Sequence, residues 1–134
     1  MGEQEATPVT AEQERALRGE TEVFITTYGA DGRAGAVPVW FLYDSGKVYV
    51  ATGRDSRKVR KLHGDARVRL AFRRRGVAAL RGRARVCTLR GVVRRVAPLL
   101  NRRYDGAWGS DADMARHLLG GDIVLLEVTL LADE

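Results

Sequence analysis

The stretch Val37 to Tyr43, VPVWFLY, constrains this chain more than any other. Its β-branched and aromatic residues favour an extended strand, and it lies between two turn signals, GADG at Gly29 to Gly32 and DSG at Asp44 to Gly46. Short turns join antiparallel neighbours, and an antiparallel sheet commonly leaves one face to water. VPVWFLY is apolar on both faces. Side chains of a strand alternate between faces, so something must cover each side, and in a small protein a second subunit is the simplest supplier.

At 134 residues the chain makes one domain, 1–134, whose core removes roughly two thirds of the unfolded chain's surface from water. Residues 1–9 read as a flexible arm. Thr10 and Gln13 form a capping box for a short helix ending near Gly19. Further strands are expected at Val23 to Tyr28, Lys47 to Thr52, Val68 to Phe72, from the Arg73 to Gly76 turn to about Thr88, and at Ile123 to Leu131. Leu89, Val92, Val93, Val96 and Leu100 recur with a helical period to about Tyr104, and Pro98 inside that run predicts a kink or two abutting helices. A last short helix covers Ala112 to Leu119. Six or so strands joined mostly by tight turns, with small helices between them, specify an antiparallel β-barrel.

A hydrophobic fraction of 45% and a charged fraction of 30% are those of a folded soluble protein, and no apolar run approaches the roughly 20 residues of a membrane helix. The polar, acidic opening MGEQEATPVTAEQE has no signal-peptide pattern, and the single cysteine, Cys87, leaves no internal disulfide. Both point to the cytoplasm. The formal net charge is +6, and of the 23 basic residues only Lys47, Lys58 and Lys61 are lysine. An anionic partner is expected, either a nucleic acid or a phosphorylated or carboxylated small molecule.

The third strand runs into ATGRDSRKVRKL, Ala51 to Leu62, where a helix follows at about Ser56 to His63. With Ser56 as N-cap, Arg57 and Lys58 fall in the first turn, beside unpaired N–H groups and the positive end of the helix dipole. Each cation there costs a few tenths to about 1 kcal/mol. A bound phosphate removes the conflict, because it takes backbone N–H groups, the serine hydroxyl, an arginine fork and a lysine charge together. A solvated basic turn is the other reading, and charge placement alone leaves both open.

The pattern DGR…VPVWF…VYVATGRDSRKVRKL resembles the pyridoxamine 5'-phosphate oxidase-like split β-barrel flavoproteins, and most nearly their short members that use the deazaflavin coenzyme F420. The resemblance covers Val23 to Val86, with Arg103, Tyr104 and the closing strand matching more loosely. It implies a mainly β fold with small helices, a six-stranded antiparallel split β-barrel of the FMN-binding type. It implies that Ser56, Arg57 and Lys58 hold the cofactor phosphate, and that Ala51, Thr52 and Gly53 pass alongside the phosphate and ribityl chain. The backbone of Val37, Pro38, Val39 and Trp40 would then lie against the flavin or deazaflavin ring. It also implies a homodimer with two interfacial sites, each completed by the partner chain. The cofactor of such an oxidoreductase transfers hydride to a small conjugated or quinone-like acceptor, while the protein orients and shields it. Ala34 departs from the proline that many relatives carry after this turn, a change in the hairpin and not in the pocket. Substrate contacts do not carry over, because relatives vary widely in the second half of the chain.

Other residues offer little catalytic chemistry. His63 and His117 lack metal-ligand spacing and read as structural or surface residues, so no metal is expected. Cys87 reads as a small strand residue, Ser56 lacks a nucleophile elbow, and Asp111 and Asp113 read as a helix cap. Arg81, Arg83 and Arg85 alternate with Gly82, Ala84 and Val86, which places three guanidiniums on one strand face, either towards water or holding a polyanion. The F420 coenzyme carries an oligoglutamate tail beyond its phosphate and FMN does not, so the arginine surplus favours F420, with FMN the alternative. A flavin- or haem-binding module without turnover is a rival reading. A nucleic-acid role would rest on Arg73 to Arg75 and the arginine row, but no aromatic residues are interleaved there for base stacking, and it is not expected.

Overall fold

The computed structural model describes residues 9–29 and 34–132, so most of the expected N-terminal arm and the tip of the first hairpin lie outside the described residues. The elements are α1 (Ala11–Gly19), β1 (Val23–Tyr28), β2 (Ala34–Val39), β3 (Leu42–Asp44), β4 (Lys47–Gly53), α2 (Arg57–Gly64), β5 (Arg67–Ala71), β6 (Leu80–Cys87), α3 (Arg90–Arg103), α4 (Asp111–Gly120) and β7 (Ile123–Leu131). The capping box of α1 forms as expected, with the Gln13 N–H donating to Thr10 Oγ1 and the Thr10 N–H to Gln13 Oε1. At α4 the cap is Ser110 with Asp113.

Seven strands form one antiparallel sheet in the order β2-β1-β5-β6-β7-β4-β3. Its two edge strands, β2 and β3, are joined by Trp40 and Phe41 alone. Two intervening residues separate the flanking Cα atoms by at most roughly 11 Å. The sheet must therefore curl until its edges meet, which is the expected split barrel. The single strand expected over Val37 to Tyr43 is instead two strands on opposite edges, making seven where six were expected. The corner falls at Phe41 because that side chain is fully buried in the barrel and draws the chain inward between them.

Tyr104, at the end of α3, fixes the corner. The Phe41 N–H donates to its hydroxyl at 2.9 Å, and that hydroxyl lies 2.8 Å from the Thr21 carbonyl and 3.0 Å from the Phe41 carbonyl. The Arg103 guanidinium sits over the Phe41 ring at 4.8 Å.

Two cores flank the sheet. Inside the barrel, Val23 and Ile25 of β1, Val48 and Val50 of β4, Val68 and Leu70 of β5, and Val124, Leu126 and Val128 of β7 pack together. Leu17 of α1 and Val59 and Leu62 of α2 join that core. Outside, Tyr49, Cys87 and Leu125 meet Val93, Val96, Ala97 and Leu100 of α3 and Met114 and Leu118 of α4. Residues Val124 to Val128 are consequently buried without a break, so two-sided burial occurs at β7 and is supplied by the chain's own helices. Pro98 lies inside one unbroken helix rather than between two, because α3 is pressed onto the sheet along Val93, Val96, Ala97 and Leu100 and proline deletes only one of its hydrogen bonds.

Beside the outer core, Glu127 is only 3% exposed. It accepts from Arg85 at 2.9 to 3.0 Å and from the Tyr49 hydroxyl at 3.2 Å, with Lys47 at 3.6 Å. Arg95 ties the Tyr49 hydroxyl to Asp44. Burial alone would raise the Glu127 carboxyl, but the Arg85 bond, the Lys47 charge and the Tyr49 bond outweigh it and hold it below the usual glutamate value.

Two outcomes follow for stability. Tyr104→Phe keeps the ring but strands the Phe41 N–H, and chemical denaturation should register a loss of about 1 to 3 kcal/mol. An unchanged midpoint would mean that the corner does not depend on the hydroxyl. A carboxyl with a depressed folded value stabilises above its unfolded value and loses that contribution as pH falls through the folded one. Glu127→Gln should thus cost about 1 to 3 kcal/mol at pH 7, and its deficit relative to the wild type should shrink as pH drops below the unfolded glutamate value of 4.5. A deficit constant down to strongly acidic pH would exclude the charged network as its source.

Candidate functional site

The barrel is not sealed along its whole length. β3 covers β4 only as far as Tyr49, the partner of Leu42. From Val50 to Gly53 that edge of β4 has no strand beside it, and the outer edge of β2 has none along Ala34–Val39, among the described residues. β2 enters the corner at Val39 and β4 leaves it near Tyr49, so the two free edges run antiparallel and diverge from the corner. They frame an open seam, and α2 begins at its wide end.

Of the ten residues expected at a cofactor, seven lie on or between these two strand edges and three follow β4 in the cap and first turn of α2. Val37, Pro38 and Val39 form one lip, with Trp40 at the apex. Ala51, Thr52 and Gly53 form the other. A Cβ on Gly53 would meet nothing within 4 Å, so the lip stands clear of its surroundings. The Ser56 N–H then donates to the Gly53 carbonyl at 3.1 Å, a tight turn that brings Ser56, Arg57 and Lys58 directly beneath the strand end. Register places Val37 and Val39 on the interior side, opposite Ile25 and Val23, and Pro38 on the outside opposite Phe24.

α2 is capped as expected, with the Val59 N–H donating to Ser56 Oγ at 3.3 Å, and its first turn contains no acidic residue. The Arg57 and Lys58 N–H groups fall where a helix offers no internal acceptor. Arg57 is exposed and Lys58 half-buried. Withdrawal from water, with no carboxylate to offset it, pulls the Lys58 ammonium below the ordinary lysine value. Among the described residues no carboxylate pairs with this half-buried cation beside the positive end of a helix.

Arg54 is used differently from its neighbours. Its guanidinium donates to the Gly121 carbonyl at 2.8 and 3.0 Å, and its N–H donates to the Asp122 carbonyl at 2.8 Å. It therefore pins the turn to the corner between α4 and β7.

Sequence reasoning missed two features of the site. Lys61 follows Lys58 by one helical turn, and a Cβ on Gly35 would come within 3.1 Å of its Nζ, so glycine leaves room for an ammonium reaching from α2 to β2. The signal was the spacing of the two lysines. At the apex, Trp40 stacks on Tyr104 with ring centroids 4.4 Å apart and 3° between planes, and Trp108 meets both edge-on at 88°. No local pattern announces a contact between positions so far apart in sequence.

His63 is exposed, His117 lies 3.5 Å from Asp122, and Cys87 is buried in the outer core. The described residues contain no cluster of three or more His, Cys, Asp or Glu able to hold a metal, and no helix long and apolar enough to cross a membrane. Four hollows of about 280 to 420 Å³ lie elsewhere on the surface, and none of the four is lined by the ten seam residues.

No curated protein matches this sequence. Several solved structures share the fold. A conserved hypothetical protein, Rv2991 of Mycobacterium tuberculosis, is 20% identical with a TM-score of 0.72, over 99% of this chain and 87% of that one. An F420 reductase is 22% identical with a TM-score of 0.63, over 89% and 93%. The heme storage protein HutZ of Vibrio cholerae is 13% identical with a TM-score of 0.72, over 93% and 92%. The family model described as pyridoxamine 5'-phosphate oxidase matches residues 9–129, which takes in the corner, the seam and both cores. On that match, and with a curled antiparallel sheet to support it, the chain belongs to the pyridoxamine 5'-phosphate oxidase family.

Proposed function

We propose that the seam holds the deazaflavin coenzyme F420 and that the protein is a cytoplasmic, homodimeric oxidoreductase acting on a small conjugated or quinone-like acceptor. The observation that carries this reading is the uncompensated cation pair at the start of α2. Arg57 and Lys58 stand beside free N–H groups, with Lys58 half-buried and no acidic residue in the turn. A dinegative phosphate satisfies all of these groups at once. The open lip at Gly53 leaves space for the chain of atoms leading from that phosphate, and the β2 backbone, free along its outer edge, supplies N–H and C=O groups to a planar polar ring.

When bound, the cofactor supplies the hydride chemistry. The chain's own work is to anchor the phosphate, orient the ring and keep water away. One chain alone does not enclose the seam. Val37 is 39% exposed and Trp40 43%, and Pro38 between them is exposed as well. A second copy laid over this apolar lip would shield both the lip and the ring. F420 is favoured over FMN by the likeness to an F420 reductase. A haem-binding reading gains support from the likeness to HutZ alone.

Titration of the protein with F420 and with FMN, followed by fluorescence, tests the reading. F420 should bind more tightly, and Arg57→Ala with Lys58→Ala should weaken it by about 2 to 4 kcal/mol through lost charge-assisted bonds. Unchanged affinity in the double variant would move the phosphate elsewhere. Lys58→Met alone should act in opposite senses, weakening the cofactor while raising apoprotein stability by a few tenths to about 1 kcal/mol, because it removes a cation from the positive helix end. Sedimentation equilibrium should return twice the chain mass, and a monomer at micromolar concentration would rule out a partner-completed site.

A further inference from the structure

Away from the seam, the outer face of β5 and β6 carries charge that the proposed cofactor site does not use. Register sets Arg67 opposite Arg83 and Arg69 opposite Arg81. All four are exposed, while Val68, Leu70, Gly82 and Ala84 alternate with them on the buried side. Directly opposed residues have Cβ atoms about 5 Å apart, and alternate residues along a strand lie about 7 Å apart. Four guanidinium stems thus rise from one small rectangle, and like charges directly opposed destabilise a sheet.

The chain neutralises this square only in part. Arg67 is clamped by Asp65 at 2.7 and 3.0 Å and lies over the Tyr28 ring at 4.8 Å. Arg81 donates to the Ala132 carbonyl at 3.1 Å. Arg69 and Arg83 make no hydrogen bond or ring contact among the described residues, although the Arg83 charge acts on Asp65 from a distance. The four arginines border a hollow of about 300 Å³, with Tyr28 and Leu131 also in its lining.

We propose that this arginine square is a second binding site, one that takes an oligophosphate group, either free or carried by a nucleotide. The spacing selects the ligand. Phosphates joined through single oxygens concentrate several negative charges within a few ångströms, which matches four cations in so small a rectangle. Carboxylates on a peptide bring one charge each, at the wider interval of successive side chains. Arginine rather than lysine suits the purpose, since each planar fork can donate to two phosphate oxygens. Tyr28 and Leu131 add ring and methyl surface of the kind a nucleoside would rest on.

Calorimetric titration with inorganic pyrophosphate, adenosine diphosphate and triglutamate tests this, in the Arg57→Ala, Lys58→Ala background so that the seam does not contribute. Pyrophosphate and adenosine diphosphate should bind and triglutamate should not. Tighter binding of the diphosphate nucleoside would assign a role to Tyr28 and Leu131, and equal binding would assign the site to phosphate alone; either supports the square. Adding Arg69→Gln and Arg83→Gln should weaken pyrophosphate by about tenfold or more. The same two changes should raise the melting temperature without ligand, because they relieve the opposed charges. Absence of pyrophosphate binding, undiminished binding in the glutamine variant, or triglutamate binding as tightly would each overturn the proposal.

Discussion

Trp40 and Phe41 join the two edges of one sheet, and the Tyr104 hydroxyl holds that junction from outside. The rest of the architecture follows from it. With the edges forced together at one point, five strands between them must curve, and the concave side becomes an enclosed core. Closure is local, however. β3 is three residues long and protects β4 only over the span it pairs with, so the same junction that closes the barrel leaves the seam open beyond it. The fold makes its enclosed interior and its candidate site with a single device.

The helices divide the remaining labour. α1 and α2 pack into the barrel core, whereas α3 and α4 cover the outer surface near Tyr49, Cys87 and Leu125. This arrangement buries β7 on both faces and also carries Tyr104 to the corner, since Tyr104 directly follows α3. Packing of the outer core and closure of the barrel are therefore linked through one helix. The Glu127 network occupies the rim of the outer core, where a carboxylate inside a ring of cations joins β4, β6 and β7 and, through Tyr49 and Arg95, reaches α3.

Much of this was legible in the sequence, for physical reasons. Alternation and turn residues are local signals, and they placed β1, β4 and β7 within a residue of their ends. The Thr10 and Ser56 caps were legible because capping depends on a few adjacent residues. The break at Trp40 and Phe41 was not, because VPVWFLY is uniformly strand-like and the bend is imposed by distant closure. Its apolar character on both faces predicts cover on each side, and the strand that the chain itself buries on both faces is β7. Charge placed against the helix dipole singles out Ser56, Arg57 and Lys58 but does not separate a phosphate receptor from a solvated basic turn, and the family resemblance supplies that choice. The Trp40 and Tyr104 stack could not, since it unites residues with no common local pattern.

The Arg54 bonds to Gly121 and Asp122 have a consequence for ligand capture. A loop that had to freeze around its guest would surrender part of the interaction energy to ordering. Here the turn ahead of Ser56 is riveted to a distant corner by the chain itself, so an anion bound as proposed would meet a geometry already in place.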